Sequence, residues 1–124
     1  MLSQPKTPKI NDVNTLALRQ AINADRNLIM IFFWEPDSLP ALRMVNFVEQ
    51  VADLCQDYMQ VLRVNVREEQ QLGLAHDIYR IPAFTFYQHG ELMDTIVTTD
   101  PIRLEESIIG YIERSRYVST KISG

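Results

Sequence analysis

The stretch Leu28-Ile-Met-Ile-Phe-Phe-Trp34-Glu-Pro-Asp-Ser38-Leu-Pro-Ala41 decides the fold. Its first half is an unbroken apolar run, far shorter than the ~20 residues a bilayer span requires. Polar residues precede the run and Glu35-Pro36 closes it, the pattern of a strand buried on both faces in the middle of a sheet with helices on either side. Its second half opens a helix. Asp37 or Ser38 can accept from the first free amides, and Pro40 falls in the first turn, where its missing N–H costs nothing.

Working upstream, Asn11 or Asp12 caps a helix whose apolar stripe is Val13, Leu16, Ala17, Ala21 and Ile22, with Asn23 to Asn27 as its polar exit. Downstream, a long helix from Leu39 to about Tyr58 buries Met44, Phe47, Val48, Val51, Leu54 or Cys55, and Tyr58, at spacings of three and four. Val61 to Val66 reads as a second strand and Glu68 to His76 as a short helix. Ala83 to Tyr87 and Leu92 to Thr98 are strands joined across Gln88-His89-Gly90-Glu91, where Gly90 tolerates a positive φ. A last helix runs from Pro101 to about Arg116. The order predicts an α/β fold in which a parallel βαβ half and an antiparallel ββα half form one mixed sheet with helices on both faces. Residues 1–9, with Pro5 and Pro8, read as a flexible arm, 10–116 as the domain, and 117–124 as a flexible polar tail.

A chain of 124 residues can bury roughly two-thirds of its unfolded surface, enough for one self-sufficient core. Its one cysteine excludes an intrachain disulfide, a two-cysteine redox couple and a cysteine-based metal cluster within one copy. A lone thiol fits a reducing compartment, and MLSQPKTPKI lacks the apolar segment of an export signal, so the cytoplasm is expected. A net charge of −4 argues against nucleic acid, which demands a basic face. Cys55, His76 and His89 lack ligand spacing, so neither metal nor cofactor is expected.

Over about Ile10 to Ile112 the element order and several motifs resemble the thioredoxin family. Phe33-Trp34 stands at the family's Phe-Trp pair, and Ser38-Leu39-Pro40-Ala41 falls on its Cys-Gly-Pro-Cys position. Tyr79-Arg80-Ile81-Pro82-Ala83 matches the segment that carries a cis-proline, which puts the cis bond at Pro82, and His89-Gly90-Glu91 matches the Asn-Gly-Glu turn. The departures are as informative as the matches. Both cysteines are gone, the family's buried acid is Phe32, its groove glycine is Thr98, and the aromatic before its first cysteine is Asp37.

In active members the first cysteine attacks a disulfide as a thiolate and the second resolves the product. Ser38 is too weakly acidic to replace the first without a partnering base, and Ala41 cannot replace the second. The resemblance therefore implies a chain that is no dithiol enzyme but a redox-inactive protein-binding module, acting as chaperone, adaptor or complex subunit. An extended peptide of another protein would lie in a groove lined by Trp34, Asp37, Leu39, Pro40, Ile81, Pro82, Val97 and Thr98. The alternatives are a monothiol oxidoreductase using Cys55, a chaperone of the hydrogenase-maturation kind, a hydrolase using Ser38, and a homodimer that buries the groove across a two-fold axis. Each site residue also has a structural reading: Ser38 as a helix cap, Cys55 as a small packed hydrophobe, and Trp34, Ile81 and Val97 as core.

Overall fold

The computed structural model describes residues 10–24 and 27–123, with side chains as far as residue 115. In chain order the elements are α1 (Thr15–Ala24), β1 (Leu28–Trp34), α2 (Leu39–Leu54), β2 (Met59–Asn65), α3 (Gln70–Ala75), β3 (Ala83–Gln88), β4 (Glu91–Val97) and α4 (Pro101–Ser123). The strands form a sheet of order β2-β1-β3-β4. β1 pairs parallel with β2 and antiparallel with β3, and β3 pairs antiparallel with β4. This is the expected mixed sheet.

All seven residues of β1 are buried, because each face of the strand meets a different core. Met30, Phe32 and Trp34 pack with Met44 and Val48 of α2 and with Leu104 and Ile108 of α4. Ile29, Ile31 and Phe33 pack on the other side with Leu18 of α1 and Leu72 of α3. Each fully buried large side chain contributes roughly 1.5–3 kcal/mol, so this strand is the densest source of stability in the chain.

The first helix departs from its expected form. Asp12 forms a parallel β-bridge with Arg63, and the Val13 amide donates to the Arg63 carbonyl at 2.8 Å, so the chain is held extended there. The helix starts later, capped by Asn14, whose Oδ1 accepts from the Ala17 amide at 2.8 Å. With that phase Leu18 faces the core at 2 % exposure, and Leu16 points outward. Val13, Ala21 and Ile22 keep their expected packing.

α2 also ends earlier than its apolar spacing predicts. Met59 must pair with Leu28 to start β2, so the chain turns at Cys55, whose carbonyl accepts from the Tyr58 and Met59 amides at 2.8 Å each. Leu54 and Tyr58 are consequently exposed. α4, by contrast, continues to Ser123, through the segment expected to be a tail beyond Arg116. No proline or glycine interrupts residues 111–123, so no breaker stops the helix there. The expected N-terminal arm, residues 1–9, lies outside the described residues.

The β3–β4 turn places His89 at φ 53° and Gly90 at φ 80°. Two successive positive φ values are what a two-residue hairpin loop requires to match the twist of its strands, and only Gly90 adopts that conformation without a steric cost. The Ile81–Pro82 peptide bond is cis.

Candidate functional site

Sheet register gathers one set of expected site residues at one end of the sheet. Phe33 is opposite Ala83, and Ala83 is opposite Val97. The next step along each strand brings Trp34, Pro82 and Thr98 level with one another, just where the chain leaves β1 for the Ser38 turn. Ser38, Leu39, Pro40 and Ala41 start α2 at this same end.

The polar groups at this end are engaged in local structure. Ser38 is the N-cap: its Oγ accepts from the Ala41 amide at 3.2 Å, which satisfies a donor the helix itself cannot. Thr98 is buried, and its Oγ1 accepts from the Asp100 amide at 3.0 Å. Asp100 in turn accepts from the Ile102 amide at 3.0 Å and so caps α4. Asp37 is exposed and ion-paired with Arg67, and that hydrogen bond holds the Arg67 guanidinium pKa above its ordinary value. Leu39, Val97 and Ile102 are exposed apolar side chains, whereas Pro82 is buried and Ile81 is half-buried.

Beneath the start of α2 the strand carries no acid. Phe32 is fully buried and stacks on Phe84 with ring centroids 5.1 Å apart and planes only 6° from parallel. Trp34 is held from its other side. Its Nε1 donates to Asp12 Oδ1 at 2.8 Å, and the Arg63 guanidinium lies 4.3 Å from the ring centroid. Arg63 Nε donates to the same Asp12 oxygen at 2.8 Å, closing a triad of carboxylate, guanidinium and indole. Trp34 is therefore a packed member of the core rather than an open groove wall. Sequence reasoning missed this triad because its members are 22 and 51 positions apart.

Ser38 also lacks a base. His76 Nδ1 donates to the Leu72 carbonyl at 2.9 Å, and its Nε2 lies 2.8 Å from the Tyr87 hydroxyl, so both ring nitrogens are engaged away from Ser38. Burial pushes the Tyr87 phenol up from its ordinary pKa. His89 sits on the β3–β4 turn, at the opposite end of β3 from Ala83. A hydrolytic Ser38 has no partner among these groups.

The one thiol is at the other end of α2. Cys55 is the C-cap residue, its amide donating to the Val51 carbonyl at 2.8 Å. The 16 residues of α2 lie between it and Ser38, a separation of about 26 Å at 1.5 Å per residue. It packs against the core beside α2 yet remains half-exposed, and burial raises the thiol above its ordinary pKa. A thiol in that setting is mostly protonated at neutral pH and attacks slowly. Among the described residues no three His, Cys, Asp or Glu side chains converge as metal ligands would. No helix among them is long and apolar enough to cross a membrane.

A four-stranded mixed sheet of order β2-β1-β3-β4 between two pairs of helices, with a cis-proline at the end of the sheet where α2 starts, is a thioredoxin fold. The thioredoxin family model matches residues 9–113, and the chain belongs to the thioredoxin family. The thioredoxin of Malassezia sympodialis is 28% identical over 91 residues, covering 73% of this chain and 86% of that protein. The thioredoxin-like protein CXXS1 of Arabidopsis thaliana is 28% identical over 80 residues, covering 64% of this chain and 67% of that protein. In structure, the Malassezia sympodialis thioredoxin superposes with a TM-score of 0.77 at 23% identity, over 88% of this chain and 97% of the other. Plasmodium falciparum thioredoxin gives 0.76 at 22% identity, over 82% and 97%.

These relatives correct two expectations. The chain was expected to be a redox-inactive protein-binding module and no enzyme, on the strength of the substitutions at positions 38 and 41. The matched family and its relatives are thioredoxins, which carry out thiol–disulfide exchange, and nothing in them is a redox-inactive binding module. The substitutions at positions 38 and 41 remove the cysteine pair from its family position, and Cys55 is the one free cysteine of the chain.

Proposed function

We propose that this chain takes part in thiol–disulfide exchange through Cys55, as a one-thiol member of the thioredoxin family. The observation that carries the reading is the half-buried Cys55, a free cysteine at the C-cap of α2 in a chain of that family. The Cys55 thiolate attacks one sulfur of a protein, peptide or glutathione disulfide. A mixed disulfide forms at Cys55, and the other sulfur leaves as a thiolate that takes up a proton. A thiol from a second molecule then attacks the mixed disulfide and frees Cys55. Both steps exchange one S–S bond for another, so no outside oxidant is consumed.

The raised pKa of Cys55 gives this exchange a character of its own. Little thiolate is present at neutral pH, so attack is slow. A thiolate of high pKa is also a poor leaving group, so the adduct, once formed, is released slowly. Slow capture and slow release suit a protein that holds a mixed disulfide better than one that turns over many. A thiol kept free for this purpose belongs in a reducing compartment, and we assign the chain to the cytoplasm.

The test is incubation of the folded chain with oxidised glutathione, read by intact mass. A single glutathione adduct that dithiothreitol reverses, that forms about tenfold faster per pH unit below the thiol pKa, and that is lost in Cys55→Ser supports the proposal. A folded chain that stays unmodified while its urea-unfolded form reacts would overturn it and make Cys55 a packing residue.

A further inference from the structure

We draw no further inference here: the strongest candidate, the cleft of about 550 Å³ between the C-terminal end of α2 and the outer edge of β2, lined by Ile10, Asp53, Gln56 and Gln60, opens where the described residues begin, and nothing in the structure shows what covers it.

Discussion

The two ends of α2 differ in what holds them: side-chain caps and ion pairs at one, backbone hydrogen bonds of the following turn at the other. At the N-terminal end several polar side chains have a local duty: Ser38 caps the helix, Thr98 and Asp100 shape the start of α4, and the Asp12–Arg63–Trp34 triad fixes the end of β1. The position beneath is Phe32, stacked on Phe84 with no exposure. At the C-terminal end the helix stops because β2 must begin, and Cys55 is left half-buried against the core. The end that carries the chemistry in relatives with a cysteine pair is here the better-built scaffold. The end with the thiol is held by backbone hydrogen bonds, from Cys55 to Val51 and from Tyr58 and Met59 to Cys55. Loss of a nucleophile therefore need not loosen its old site, since a serine can serve the helix backbone where a cysteine served a substrate.

Truncating the strongest part of that scaffold should show the contrast most clearly. Phe32→Ala removes a fully buried ring and should lower unfolding free energy by about 3–5 kcal/mol in urea titration; a loss under ~1 kcal/mol would mean that this end is less tightly packed than its stacking geometry indicates. Asp12→Ala leaves the Trp34 indole N–H without its acceptor and should cost about 1–3 kcal/mol. Because the chain has one tryptophan, its emission reports on that site directly and should move to the red. Ser38→Ala removes a cap and should cost about 1 kcal/mol, with the labelling rate of Cys55 unchanged because the two sites are at opposite ends of α2. A changed labelling rate would show that the two ends are coupled.

A smaller effect follows from Cys55 itself. Its folded pKa is raised, so the folded state holds the thiol proton more tightly than the unfolded chain does. That preference stabilises the fold fully below the ordinary thiol pKa and is lost as pH rises through the higher folded value. Stability should therefore slope downward across the alkaline thiol range, and Cys55→Ala should remove that part of the slope. Smallest of all is Asp37→Ala, which breaks an exposed ion pair with Arg67 and should leave the urea midpoint unchanged within error.

What the sequence made legible follows the same contrast. The β1 run, the Ser38 cap with Pro40 behind it and the β3–β4 turn are local patterns, and each is found where it was read. The features that escaped reading are set by distant partners. Leu18 replaces Leu16 as the buried residue of α1 because Arg63 holds Asp12 and Val13 extended and shifts the helix start. The close of α2 was misplaced because its apolar spacing runs on past Leu54, while the pairing of Met59 with Leu28 forces a turn that no residue of the helix announces. The same effect reached the site. Ser38 as a cap could be read from its neighbours, but the commitment of Trp34 to Asp12 and Arg63, and of His76 to Tyr87, depends on contacts between separate elements.

The Asp12 bridge also has a kinetic consequence. It closes a loop of 51 positions to Arg63, whereas β3 and β4 meet across a tight turn. Closing the longer loop costs more chain entropy, which favours its formation after the sheet has assembled. Interactions made after the rate-limiting step act on escape from the native state rather than on entry into it. The triad then works as a latch: Asp12→Ala should leave the refolding arm of a chevron plot in place and raise the unfolding arm, shortening the lifetime of the folded chain more than it delays its formation.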